Sequence, residues 1–380
     1  MIYLDYNAST PVDPAVREAM LPFLGEFYGN PSSGHAPGRR LRAAVDKARE
    51  QVAALLGASP GEIVFTSGGT EANNLAIKGV ADARKDRGRH IIISAVEHPA
   101  VVNPCLYLQR NGFDITSVGV DKSGRVDPQA IAEEVRPDTI LISIMHANNE
   151  VGTIQPIQEI AEVASEGGVL FHTDSAQSCT KIETSVRKLG VDFLSIAGHK
   201  MQSPQGIGAL YVRNGVELEP LHHGAGHECG RRSGTEPVAA IVGLGAAAEL
   251  AMTKPSTPHT RSMADRLYHG LKRALGDVVV LLGHPELRLP NTLNVGFRGH
   301  IGGDILAACP QVCASPGAAC HSRRRERSAT LAAMDVPEDV AFGAIRFSVG
   351  RYTSEAEVDE AIRQIAAAVR RAPAELPAGA

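Results

Sequence analysis

From about residue 40 to 250, short apolar runs alternate with amphipathic stretches. Glu62–Phe65, His90–Ser94, Asp114–Val118, Thr139–Ile144 and Val169–Thr173 are compact and rich in β-branched residues, as buried strands are. Helix signals follow near Thr70, from Pro99, from Asp127 and from Pro156. This alternation predicts βαβ units, and so an α/β fold with a mainly parallel central sheet.

After residue 253 the pattern changes. The polar segment Thr253–Pro258 contains Pro and Ser and reads as a boundary before a helix at Arg261–Ala274. Runs at Leu293–Phe297 and Ile345–Val349 then suit a smaller α+β unit. The expected division is a large domain over 15–253, with a small domain over 254–380 that includes the N-terminal segment 1–14.

Composition narrows the class. The 380 residues are 43% hydrophobic with a net charge of −4, enough for a sizeable core and without the basic excess of a nucleic-acid binder. MIYLDYNAST carries no secretory pattern, and the longest apolar run, Ala239–Ala248, falls short of the roughly 20 residues that span a membrane. We therefore expect a cytoplasmic protein that binds neither membrane nor nucleic acid. The six cysteines lack a paired metal-binding spacing, and no metal is expected.

Three motifs suggest chemistry. Lys200, in Ala197-Gly198-His199-Lys200, follows the apolar run Phe193–Ile196, where a lysine amine can form a Schiff base with an aldehyde. Asp174, in His172–Gln177, ends another strand and can pair with a protonated ring nitrogen, or simply cap the next helix. Thr66–Asn74 places two glycines and Thr70 at a helix start, which suits a phosphate or an ordinary capped helix. Each alone has a bland explanation. One cofactor requires all three, and together they resemble fold-type-I pyridoxal 5'-phosphate enzymes, with a large domain and a smaller C-terminal one.

The resemblance extends to the cysteine desulfurase and selenocysteine lyase family, within the class V aminotransferases. It runs through Tyr3–Ala8, Gly29–Ser33, Glu97-His98, Asn148-Asn149-Glu150, Arg232–Thr235, Ala314–Ser322 and Arg346–Arg351. It implies that Lys200 holds the cofactor covalently and moves the Cα proton, and that His98 stacks on the ring. Asp174 would pair with the ring nitrogen, and Asn148 and Gln177 would contact the ring. Thr70 and His199 would bind phosphate, with Thr235 supplied by the other subunit of a homodimer. Arg346 would clamp the substrate carboxylate, with Asn148 beside it. Cys320 would be the nucleophile that receives sulfur as a persulfide, with His321 and Arg323–Arg325 favouring its thiolate. The basic run 323–327 is a candidate dock for a sulfur- or selenium-acceptor protein.

The substrate stays open between L-cysteine and L-selenocysteine, either yielding L-alanine. Ala197 replaces a serine common in desulfurases, and Gly317-Ala318-Ala319-Cys320-His321-Ser322 looks lyase-like, whereas Pro99 matches neither group. Other readings are a pyridoxal-phosphate aminotransferase of different specificity and a non-catalytic scaffold.

Overall fold

A computed structural model describes residues 1–317 and 327–371. Its centre is a seven-stranded sheet. In spatial order the strands are Ile63–Thr66, Gly208–Val212, Phe193–Ala197, Leu170–Asp174, Thr139–Ser143, His90–Ser94 and Asp114–Val118. All neighbours pair in parallel except at Gly208–Val212, which runs antiparallel to both strands beside it.

The sequence pattern explains this sheet. Ile92, Ile142, Phe171, Leu194 and Ile196 pack with Val45, Val52 and Leu56 of the helix Ala36–Leu56 and with Ile241 and Leu244 of the helix Val238–Thr253. Their neighbours Ile91, Ile93, Leu141, Leu170 and Phe193 face the other way, onto Leu75, Val80 and Val101 from the helices Gly69–Arg84 and Pro99–Arg110. With both faces covered, the inner strands read as unbroken apolar runs. Truncating a fully buried side chain such as Leu75 to alanine is expected to cost about 2–5 kcal/mol.

A second, four-stranded sheet joins Ser315–Pro316, Ala344–Ser348, Thr292–Phe297 and Val279–Leu282, all antiparallel. The helices Thr257–Leu275 and Glu355–Arg371 pack on it, burying Leu267, Leu271, Val295, Phe347 and Ile365 in a separate core. The polar break anticipated at 253–258 falls between two helices that end at Thr253 and begin at Thr257. The N-terminus is stitched to this part: Ile2–Tyr3 pairs with Val312–Cys313, and Asp5 bridges to Ser348. That pairing carries residues 5–10 between the two sheets and up to the end of the strand Phe193–Ala197, where Thr10 N donates to His199 O.

Among the described residues, no single helix is long and apolar enough to cross a membrane.

Candidate active site

The parallel strands of the large sheet end along one edge, and the chemical motifs follow those ends: Thr66 leads to Gly69-Thr70, Ser94 to His98, Ser143 to Asn148-Asn149, and Ala197 to His199-Lys200. Asp174 is itself the last residue of its strand. Loops beyond the carboxyl ends of parallel strands are where open α/β sheets hold ligands. Here they enclose a cavity of about 300 Å³ lined by Thr70, His98, Asn149, Asp174, Gln177, His199, Lys200 and Arg346, among others. That volume lies at the lower end of the range for small-molecule sites.

Lys200 sits on a single turn after its strand. Its Nζ donates to Ala8 O at 2.9 Å and also to Asn7 O. Burial, reinforced by the positive charge of Arg346, lowers its pKa to about 8, while Asp5 and Asp174 pull the other way. An amine so tuned is partly unprotonated near neutral pH, as a Schiff-base lysine must be. His199, beside it, is pushed down to about 4 by burial and by Lys200, so it is a neutral imidazole.

Asp174 is buried, and both of its oxygens are engaged: Oδ2 accepts from Asn73 Nδ2 at 2.6 Å and Oδ1 from Ala176 N at 2.9 Å. These bonds fix the carboxylate on the cavity wall. His98 caps the helix Pro99–Arg110, its Nδ1 accepting from Ala100 N at 3.0 Å. That bond assigns the remaining proton of the neutral ring to Nε2. Burial lowers the His98 pKa, and Lys200 adds to the effect.

The start of the helix Gly69–Arg84 has no side-chain cap. Its N-cap, Gly68, has φ of +151°, a conformation that a side chain would oppose. Gly69 is also restricted, because a Cβ there would lie 3.3 Å from Ala197 Cβ. The result is a tight, donor-rich helix start beside Thr70 and neutral His199, suited to an anion.

Arg346 faces the cavity from the second sheet. Its Nη1 donates to Asn149 O, and its Nη2 donates to Asp5 Oδ1 and Ser315 Oγ, all at 2.9 Å. Its Nε is buried with no acceptor. Asp5 thus holds the guanidinium in place, and two N–H groups, one on Nε and one on Nη1, are left without an acceptor.

One placement differs from the sequence reading. Asn148 does not line the cavity. Its Oδ1 accepts from the backbone N–H groups of Glu150 and Val151, and its Nδ2 donates to Val96 O. This folds the loop and puts the next residue, Asn149, on the wall. Adjacent identical asparagines in a tight turn point in different directions, and the motif alone does not say which one faces the ligand. Thr235, expected to serve the site of the other subunit, is exposed and does not line the cavity of this one. Cys320, His321 and Arg323–Arg325 lie outside the described residues; of the basic run only Arg327 is described, donating to Val336 O. Asn7, Asn73 and Asp5 had no assigned roles, although the Tyr3–Ala8 segment had marked two of them.

A profile of the aminotransferase class-V family matches residues 2–361. A protein named cysteine desulfurase IscS from Dictyoglomus turgidum is 48% identical over 362 residues, covering 94% of this chain and 92% of the relative. The chain belongs to the cysteine desulfurase family of class-V aminotransferases. A cysteine desulfurase of Pongo abelii is 44% identical over 97% of this chain and 82% of its own. A solved NifS-like protein superposes with a TM-score of 0.91 at 39% identity, covering 97% and 99% of the two chains. A structure described as SspA in complex with cysteine has a TM-score of 0.82 at 39% identity, over 93% of this chain and all of the other. The family is pyridoxal-phosphate dependent, and the cavity fits that group: a helix start for the phosphate, a fixed carboxylate for the ring nitrogen and a tuned lysine for the aldehyde.

Proposed function

We propose that this cysteine desulfurase converts L-cysteine to L-alanine and transfers the sulfur to Cys320. The observation that carries the reading is the convergence of Lys200, Asp174, His98 and Arg346 on one cavity, from four separate stretches of chain. In this reading, Thr70, His199 and the helix start bind phosphate. Asp174 pairs with the ring nitrogen, and Asn149 and Gln177 border the ring with His98. Bound there, pyridoxal phosphate supplies an electron sink for charge developing at the substrate Cα.

The protein's own groups do the rest. The unpaired N–H groups of Arg346 meet the substrate carboxylate and orient the amino acid. Lys200, with its lowered pKa, takes the Cα proton and returns a proton to the product. His98, neutral with its proton on Nε2, supplies a further donor to the cavity. The Cys320 thiolate then attacks the substrate sulfur: an S–S bond forms as the Cβ–S bond breaks. The carbon keeps the electron pair of that bond, takes up a proton and departs as alanine. A nucleophile of an acceptor protein then takes the outer sulfur of the persulfide, breaking the S–S bond and returning Cys320 to its thiolate.

Selenocysteine lyase activity is not favoured. The similar proteins are named cysteine desulfurases, and one similar structure holds cysteine. These whole-chain similarities outweigh the few residues around Cys320 that look lyase-like.

A homodimer accords with Leu21, Leu24 and Tyr28, which are exposed large apolar residues clustered in sequence, and with Thr235, exposed and free to serve a second copy. The activity is tested by measuring alanine from L-cysteine in wild type and Lys200→Ala; loss in the variant is expected, and undiminished alanine would refute the assignment.

A further inference from the structure

Lys181 has no place in the mechanism above, yet it lies in the same turn segment four residues after Gln177. Its backbone is pinned: its N–H donates to Ser178 O at 3.0 Å, and its carbonyl accepts from Thr257 Oγ1 at 3.0 Å. Its ammonium donates to Gln177 Oε1 at 3.1 Å and to Asn7 Oδ1 at 3.3 Å. Among the described residues, no carboxylate lies within ion-pair distance of it. The nearby charges are unfavourable: after burial, Lys200 and Arg346 are the causes that lower its pKa, to about 7.

What the contacts accomplish is orientation. A side-chain amide has an accepting end and a donating end that are nearly the same shape. Protonated, Lys181 has three donors and no acceptor, so it selects the oxygen end of both amides it touches. Gln177 is thereby turned so that its Nε2 end is the one not held by Lys181; one N–H donates to Asn7 O at 2.9 Å and the second remains for a ligand. Asn7 receives a second donor on Oδ1, Asn291 Nδ2 at 3.0 Å, and so directs its Nδ2 to Thr292 Oγ1 at 2.9 Å. Both amides line the ligand cavity, and Asn7 O also accepts from Lys200.

We propose that Lys181 is a positioning residue, whose amine locks the amide of Gln177 with its N–H end toward the bound cofactor's phenolic oxygen. The inference rests on the cofactor reading above. An N–H donated to that oxygen stabilises its negative charge and makes it less basic. If the amide turned freely, that oxygen would lose the donor and a proton held by the cofactor beside Lys200 would be released at higher pH.

The test uses the loaded enzyme and its visible absorbance band, titrated with pH, together with cofactor affinity and thermal midpoint. In Lys181→Met the pH midpoint of the band is expected to rise by about one unit and cofactor affinity to fall about tenfold. Lys181→Arg, which keeps donors at that point, is expected to restore the midpoint. In a Gln177→Leu background, Lys181→Met should add no further shift. A wild-type midpoint in Lys181→Met, or an equal added shift without Gln177, would overturn the proposal. If Lys181→Met does not fold, an unshifted midpoint in Gln177→Leu overturns it instead. Failure of wild type to develop the band would sink the cofactor reading itself, which is a distinguishable result.

Discussion

Asn73 Nδ2 stands 2.6 Å from Asp174 Oδ2, joining the first turn of the helix Gly69–Arg84 to the end of the strand Leu170–Asp174. This bond couples the helix start proposed for the phosphate to the carboxylate proposed for the ring nitrogen. A hydrogen bond to a charged group contributes about 1.5–3 kcal/mol. Asn73→Ala is therefore expected to lower kcat for alanine formation by about tenfold, with a smaller change in thermal midpoint. Asp174→Asn, which removes the charge, should cost at least about a hundredfold. Steady-state assays of both variants check the order; Asn73→Ala at wild-type kcat would show that the bond has no catalytic weight.

The two neighbouring asparagines should separate cleanly. Asn148→Ala leaves the N–H groups of Glu150 and Val151 without their acceptor and is expected to destabilise the fold by about 1–3 kcal/mol. Asn149→Ala is expected to weaken cofactor or substrate binding while stability stays near wild type. Denaturant unfolding and cofactor titration distinguish them, and the reverse pattern would contradict the placement.

Glu97 is buried beside the site, and burial pushes its carboxyl up to about 8, against hydrogen bonds from Ser94 and Met145 N–H. Between 4.5 and about 8 the folded protein holds a proton that the unfolded chain has released. Stability from this group is therefore full below 4.5 and is lost as pH rises through about 8. Glu97→Gln removes that slope. Relative to the variant, wild type should lose roughly 3–4 kcal/mol between about pH 5 and about pH 8.5, measured by urea unfolding. Parallel stability curves would contradict the assignment.

Arg346 presents its guanidinium to the cavity while Asp5 and Ser315 hold one edge of it. Lysine cannot reproduce that forked geometry. Arg346→Lys is expected to raise KM for L-cysteine by about tenfold or more, with a lesser fall in kcat. A KM within about twofold of wild type would remove Arg346 from carboxylate binding.

Much of this was legible in the sequence because local pattern and global fold agree. The strands His90–Ser94 and Asp114–Val118 fall at the predicted residues, since apolar runs between polar turns leave little choice of boundary. Lys200, Asp174 and Thr70 announce themselves by standing at strand ends or helix starts, whereas His98 was marked by the family resemblance. The missed features depend on side-chain direction and on contacts between distant segments. Which of Asn148 and Asn149 turns inward is decided by a local turn. Asn7 meets Thr292 only because the N-terminus pairs with Val312–Cys313. Lys181 offered no motif, because its effect runs through the amides of Gln177 and Asn7.

The most direct test of the central claim is alanine formed from L-cysteine and from L-selenocysteine, side by side, by the loaded wild type and by Cys320→Ala. Alanine from L-cysteine in wild type, with that reaction lost in Cys320→Ala, is the predicted result. Alanine from L-selenocysteine alone, or an unchanged L-cysteine rate in Cys320→Ala, would contradict it.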